Sequence, residues 1–146
     1  MNHSLYNAAI KALARRCDKD RTELGQSADV SLINPYCGDR VRLRLDVKDG
    51  VIYKLRHEVN GCLLCKAACT LMRKLVENSP EENLPLLIQE LRGLLQGEES
   101  SEVGLQEIEV FSPVISMKSR HQCVLLPFEA LHQCYQECRT QADETG

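Results

Sequence analysis

Tryptophan is absent from this chain, and aromatic residues as a class make up only 4% of its 146 residues. The core must therefore be built mainly from Leu, Val, Ile and Ala. No apolar run approaches the roughly 20 residues that a membrane-spanning helix needs, so we expect no membrane association. The length suits one domain with a single core. We predict one domain over residues 1–146, with frayed ends at 1–3 and 140–146.

A surplus of one charge sign is also lacking, because 18 basic and 21 acidic side chains give a formal net charge of -3. Without a basic surplus, nucleic acid is not an expected partner. The N-terminal residues Met1-Asn2-His3-Ser4 lack the charged and then apolar pattern of a secretion signal, so we expect a cytoplasmic protein. In that reducing compartment, eight cysteines favour metal binding or thiol chemistry over a disulfide framework.

Alternating side chains predict a β-hairpin at the centre of the fold. Residues 41–47 alternate apolar with charged side chains, which is typical of an antiparallel strand with one buried face. Asp49-Gly50 follows as a turn signal, and residues 51–59 form the second strand. The side chains expected to face inward on that strand are Val51, Tyr53, Leu55, His57 and Val59. A short edge strand is predicted at residues 30–32.

Helical periodicity is found in four segments. The predicted helices cover residues 4–17, residues 62–76, a segment from near Asn83 to Gly97, and a last segment that Pro127 opens. Ser79-Pro80-Glu81-Glu82 has the form of a capping box before the third helix. Residues 105–111 are expected to form a short helix or turn, and residues 112–122 are expected to be irregular.

One group of residues has the chemistry of a metal site. Cys37 and Asp39 stand two residues apart where the first hairpin strand begins, so their side chains point to the same side of an extended backbone. Cys62 starts a helix at the same end of the sheet, and a helix N-terminus favours the thiolate. With Cys123, three thiolates and one carboxylate suit tetrahedral Zn²⁺ or one face of a [2Fe-2S] cluster. The alternative is that these cysteines are ordinary small residues.

The remaining cysteines and histidines have less specific interpretations. Cys65 and Cys69 continue from Cys62 along one helical face, where they could be spare ligands or resolving thiols. Core packing is the favoured interpretation of both, since a free cysteine packs as a small hydrophobe. His121, two residues before the last predicted ligand, is a weaker candidate ligand, and His57 is interpreted as structural. The other cysteines assigned to the core are Cys17, Cys134 and Cys138.

Three motifs resemble those of the U-type iron–sulfur assembly scaffolds, the IscU, NifU N-terminal and SufU proteins. The motifs are Asn34-Pro35-x-Cys37-Gly38-Asp39-Arg40, Gly61-Cys62, and Arg120-x-x-Cys123-x-x-Leu126-x-Phe128-x-Ala130-Leu131. The resemblance spans about residues 5–139. It implies a compact α+β domain of the SufE/NifU-like type, in which a small antiparallel sheet packs against helices.

Several features resemble the SufU branch in particular. The stretch between Cys62 and Cys123 is long enough to hold the insertion that separates SufU from IscU proteins. Gln122 replaces the histidine that IscU proteins carry before the last cysteine, and the Leu-Pro-Pro-Val-Lys chaperone motif is absent. Arg120 matches a SufU-like arginine that could pair with the negative site or with Asp39.

The resemblance implies a function in sulfur transfer rather than an enzyme that acts alone. Cys37, Asp39, Cys62 and Cys123 would hold zinc, and Cys37 would accept sulfur from a cysteine desulfurase that carries pyridoxal phosphate. Downstream iron–sulfur proteins would be the recipients. The alternative is a true scaffold that builds a labile [2Fe-2S] cluster and hands it on. A stand-alone zinc enzyme and a purely structural zinc module are less favoured.

Overall fold

The structure is a computed structural model that describes residues 7–98 and 106–145. Its strands are β1 (Val30–Ile33), β2 (Arg40–Lys48), β3 (Val51–Asn60) and β4 (Ser79–Pro80). Its α-helices are α1 (Ala8–Lys19), α2 (Leu63–Val76), α3 (Leu84–Leu95) and α4 (His121–Thr145). Short 3₁₀ segments lie at Gly25–Ser27, Glu81–Asn83, Gln106–Val114 and Lys118–Arg120.

The sheet is an antiparallel meander in the order β1-β2-β3-β4, so each strand pairs with its neighbour in sequence. The helices pack against it, which confirms the predicted α+β class and its small antiparallel sheet. Helix α2 is central, because it contacts α1, α4 and β3, and most of its side chains are buried. Across the two described stretches, no helix combines the length and the apolar character needed to cross a membrane.

The central hairpin is confirmed, but the predicted inward face of β3 is wrong near the turn. Asp46 pairs with Lys54 whereas the next residue, Val47, pairs with Ile52, which leaves Tyr53 as an extra residue in a β-bulge. The bulge inverts the alternation on its turn side. Ile52 is therefore buried, and Tyr53 is half exposed.

Helix α1 begins later than the sequence pattern predicts. Asn7 has extended backbone and its side chain accepts a hydrogen bond from the Ile10 N–H at 2.9 Å, so it caps the helix. The predicted start at residues 4–6 lies outside the described residues, as does the predicted fraying at 1–3. The backbone of α4 continues helical through residues 140–145, and the domain limits remain a prediction.

The predicted capping box before α3 is wrong, because Ser79 and Pro80 form a short edge strand against Ile52 and Val51. An edge strand tolerates proline, since the missing N–H is not needed by a further neighbour. The helix that follows begins near the predicted position. Gly97, with φ +87°, lies just past its end, as predicted for a helix stop.

The last helix begins six residues before the predicted position, at His121 rather than at Pro127. The 3₁₀ segments before it replace the irregular stretch predicted at residues 112–122. Pro127 lies inside α4, where it has no N–H to donate to the carbonyl of Cys123. The early start matters for the site, because it places Cys123 in the first turn of a helix that packs against β1, β2 and α2.

Candidate metal centre

A tight loop between β1 and β2 carries the first two candidate ligands. The Asn34 carboxamide oxygen accepts from the Tyr36 N–H at 2.9 Å, and the Asn34 carbonyl accepts from the Gly38 N–H at 2.8 Å. The Asn34 N–H donates to the Asp39 carbonyl, also at 2.8 Å. Gly38 takes φ +80°, a conformation that L side chains rarely adopt. The loop thus leaves Cys37 exposed while the neighbouring Asp39 is buried.

Asp39 is a buried carboxylate with only half of its hydrogen-bonding capacity used. One oxygen, Oδ1, accepts from the Cys62 N–H at 3.1 Å. The other, Oδ2, is buried and has no hydrogen-bond partner among the described residues. A buried carboxylate oxygen without a partner is costly. A cation beside Oδ2 would remove that cost, which is an observation in favour of a metal at this place.

Gly61 makes the approach between Asp39 and the start of α2 possible. A Cβ at this position would lie 2.9 Å from Asp39 Cγ and 3.1 Å from Oδ1. Real Cβ atoms essentially never come this close, so any larger residue would push the carboxylate away. The glycine is therefore part of the site, although sequence reasoning treated it only as a strand end and part of a motif.

The ligand atoms of Cys37, Asp39 and Cys123 lie within 4.8 Å of one another. Cys62 is not part of this set of mutual distances, although its backbone N–H donates to Asp39 Oδ1 at 3.1 Å. Its Sγ also accepts from the Cys65 N–H at 3.5 Å, as the N-cap of α2. The fold thus brings three of the four predicted ligand atoms together and places the backbone of Cys62 next to Asp39. Three sulfurs and a carboxylate oxygen suit Zn²⁺.

Burial keeps the thiols of Cys62 and Cys123 protonated. It raises the pKa of Cys62, and the Asp39 carboxylate beside it adds to this effect. Burial also raises the pKa of Cys123 to about 12, and the neighbouring Cys62 adds to it. Both groups would be protonated at neutral pH, so a cation would have to displace their protons when it binds.

The other three residues singled out from the sequence lie around the centre rather than in the set of ligand atoms. Cys65 is fully buried behind Cys62. The His121 Nε2 lies 3.0 and 3.1 Å from the carbonyl oxygens of Val114 and Ile115, which this ring nitrogen can serve only as a donor. Arg120 is half-buried at the end of the 3₁₀ segment that leads into α4.

A second cluster was missed by sequence reasoning. Cys17, His57 and Cys69 were each assigned to the core, and all three are buried as predicted. Their ligand atoms, however, also lie within 4.8 Å of one another. The inward position of His57 on β3 was the available signal. Cys134 is buried in the core as predicted, and the side chain of Cys138 lies outside the described residues.

Comparison with known proteins identifies relatives over most of the chain. A family model, the NifU-like N terminal domain, matches residues 18–123, which is more than half of the chain. The iron-sulfur cluster assembly scaffold protein IscU of Thermotoga maritima is 29% identical over 100 residues, which cover 68% of this chain and 70% of that protein. The zinc-dependent sulfurtransferase SufU of Bacillus subtilis is 25% identical over 136 residues, which cover 88% and 92%.

A solved structure gives the same result for the fold. The nitrogen-fixing NifU-like protein (N-terminal) from Brucella abortus matches with a TM-score of 0.80 at 25% sequence identity, over 93% of this chain and 95% of that chain. The relatives named IscU and SufU are similar to this chain to a comparable degree. The comparisons therefore identify the family without separating its two branches.

Proposed function

Because the chain belongs to the family of NifU-like N-terminal domains, which includes iron–sulfur cluster assembly scaffolds, we propose that it accepts sulfur from a cysteine desulfurase at Cys37. The single observation that carries this proposal is the contrast in exposure within one group of ligands. Cys37 is exposed, whereas Asp39 and Cys123 are 6% and 2% exposed. Cys62 is half-buried, so Cys37 is the sulfur of the group that a partner reaches most easily.

The resting centre would consist of Cys37, Asp39, Cys62 and Cys123 around zinc. When bound, zinc supplies positive charge that keeps the thiols ionised in a buried place. The unpartnered Asp39 Oδ2, together with the sulfurs of Cys37 and Cys123 within 4.8 Å of the carboxylate, supports this choice of residues. Arg120, three residues before Cys123, would balance negative charge at the same edge.

The transfer itself is a thiol exchange at Cys37. Its thiolate attacks the terminal sulfur of the desulfurase persulfide, a new S–S bond forms on Cys37, and the old S–S bond breaks. The desulfurase cysteine leaves as a thiolate, so no net oxidation or reduction takes place. Asp39, Cys62 and Cys123 would keep the centre together during the exchange, and pyridoxal phosphate stays with the partner.

The experiment follows sulfur from labelled cysteine through a cysteine desulfurase to this chain, with persulfides located by alkylation and mass spectrometry. We expect zinc at this centre and a persulfide on Cys37. Cys37→Ser should lose the persulfide while remaining folded, because the side chain is exposed. Cys65→Ala is the matched control and should still accept sulfur. Equal labelling of Cys37→Ser and wild type would contradict the proposal.

A second candidate function is cluster scaffolding, which the similarity to proteins named IscU favours. A carboxylate among three thiolates should hold a [2Fe-2S] cluster less firmly than a fourth thiolate would, which suits a cargo that is handed on. Iron with equimolar sulfide after reconstitution, retained more firmly in Asp39→Ala, would favour scaffolding. Zinc without sulfide would favour the sulfur acceptor.

A further inference from the structure

A second group of metal-ligating side chains lies in the core, apart from the centre described above. Cys17 comes from α1, His57 from β3 and Cys69 from α2, and their ligand atoms lie within 4.8 Å of one another. They are 2%, 1% and 0% exposed. We propose that these three residues form a second metal site, for a thiophilic divalent cation such as Zn²⁺. This inference does not depend on the proposed function.

The protonation of His57 is fixed by its partners in a way that suits a ligand. The Arg73 guanidinium donates to Nδ1 at 3.1 Å, so Nδ1 carries the lone pair. Nε2 then carries the proton, and it donates to the Cys17 carbonyl oxygen at 2.8 Å. A backbone carbonyl that holds the far N–H is the usual support of a metal-binding histidine. Nδ1 is therefore the nitrogen available to a cation.

Arg73 donates a hydrogen bond to that nitrogen, but it also has a second partner. Its Nε and Nη2 donate to Glu77 Oε1 at 3.1 and 2.9 Å, so the arginine keeps its ion pair when it releases His57. The Arg73–Glu77 pair is neutral as a unit. Two thiolates, a neutral imidazole and a divalent cation are also neutral together, which favours Zn²⁺ over a monovalent ion in this buried place.

The two sulfurs of the cluster lie within 4.8 Å of each other. A hydrogen bond from the Cys69 thiol lowers the pKa of Cys17 to about 6, and it raises the pKa of Cys69, to which burial adds. One of the two sulfurs is thus prepared to act as a thiolate. A hydrogen-bonded pair of sulfurs facing a ring nitrogen differs from ordinary core packing, in which a cysteine needs no polar partner.

A groove at the surface reaches the histidine of the cluster, although neither sulfur lines it. A groove of about 730 Å³ runs along α1 and α2 and is lined by His57, Thr70 and Arg73, among other residues. A cation could enter there once Arg73 swings aside. A water molecule from the groove could supply the fourth ligand, as in zinc sites with three protein ligands and one open position.

The test counts metal ions with Cd²⁺ as the probe, by equilibrium binding and by ¹¹³Cd NMR on the full chain. Wild type should bind two Cd²⁺ per chain and give two signals. Cys69→Ala and Cys17→Ala should each lose one signal and keep the other. The double variant Cys37→Ser/Asp39→Ala should lose the signal of the first metal centre and keep that of the second site.

Cys134→Ala is the matched control, since Cys134 is a buried cysteine of α4 outside both clusters; it should keep both signals. One Cd²⁺ in wild type, left unchanged by Cys69→Ala, would overturn the second site whether or not the variants fold well. Sulfur labelling of Cys37 is a separate readout, so a failure here is distinguishable from a failure of the proposed function.

Discussion

The two cysteine clusters of this chain use similar donor atoms in different surroundings. The outer cluster (Cys37, Asp39, Cys62 and Cys123) is built from a loop and from the first residues of two helices. The inner cluster (Cys17, His57 and Cys69) is built from the interior of a helix bundle and a strand. In the outer cluster Cys37 is exposed and Cys62 is half-buried, whereas all three ligands of the inner cluster are buried.

This difference indicates which ligands of a metal site can leave and return. A ligand on a loop can leave and return while the regular elements stay in place. A buried ligand on α1 or α2, such as Cys17 or Cys69, is held in place by the close packing around its helix. The outer cluster is thus suited to reactions at its exposed sulfur, and the inner cluster to holding an ion. Four measurements would test this contrast between the two clusters.

The largest expected effect is on the pH dependence of Zn²⁺ affinity. The raised pKa values of Cys62 and Cys123 mean that the outer cluster must release at least two protons when Zn²⁺ binds. Its affinity should therefore fall at least about a hundredfold for each unit by which the pH falls from 8 to 6. The lowered pKa of Cys17 means that the inner cluster releases mainly the Cys69 proton at neutral pH, and its dependence should be shallower.

Competition titrations with a chelator, on variants that retain one cluster each, would measure the two slopes. Cys69→Ala isolates the outer cluster, and Cys37→Ser with Asp39→Ala isolates the inner one. Equal slopes would contradict the assignment of more protonated thiols to the outer cluster than to the inner one.

Gly61→Ala should weaken Zn²⁺ binding at the outer cluster by about 10 to 100-fold, as displaced supporting residues do in metal sites. The added Cβ would lie 2.9 Å from Asp39 Cγ and must displace the carboxylate. Gly93→Ala is the control, because its Cβ meets only the flexible end of Glu98. Zinc affinity from competition titration should separate the two variants; unchanged affinity in Gly61→Ala would argue against Asp39 as a ligand.

Arg73→Gln should speed Zn²⁺ entry into the inner cluster by roughly tenfold, since it removes one positive charge and a donor that covers the His57 Nδ1. Lys74→Gln removes an equal charge from the same groove without uncovering that nitrogen. Stopped-flow binding of Co²⁺, followed by its thiolate charge-transfer band, would compare them. The same binding rate in both variants would show that Arg73 does not block access to the His57 Nδ1.

Tyr36→Ala should have the smallest effect, a few-fold rise in the desulfurase concentration needed for half-maximal sulfur transfer. Tyr36 is 92% exposed beside Cys37, and exposed aromatic side chains commonly anchor protein partners. Tyr53→Ala, an exposed tyrosine at the bulge of β3, is the control. The maximal rate should not change in either variant, and a loss of maximal rate in Tyr36→Ala would assign it a role in the transfer step.

Local signals in the sequence predicted much of this molecule. The β2–β3 hairpin follows from alternation and from Asp49-Gly50, and the spacing of Cys37, Asp39 and Cys62 was enough to propose that they converge. The inversion at Tyr53 could not be predicted, because a bulge depends on how two strands pair. Nor could the start of α4, since a proline that commonly opens a helix lies inside this one.

The inner cluster shows more clearly what local sequence signals cannot predict. Cys17, His57 and Cys69 are far apart in the chain, and each alone has the pattern of a core residue. Only the packing of α1 against α2, above the inward face of β3, places their ligand atoms together. Long-range packing of this kind leaves no trace in the spacing of neighbouring residues.

The loop from Asn34 to Asp39 has a mechanical consequence. Its base is clamped by the two backbone hydrogen bonds at Asn34, and Gly38 separates the clamped base from the tip that carries Tyr36 and Cys37. Because the Cys37 side chain is exposed, it can rotate while both of these hydrogen bonds stay in place. A partner that binds Tyr36 and Cys37 would move one sulfur outward, and it would leave the Asp39 carboxylate where it was.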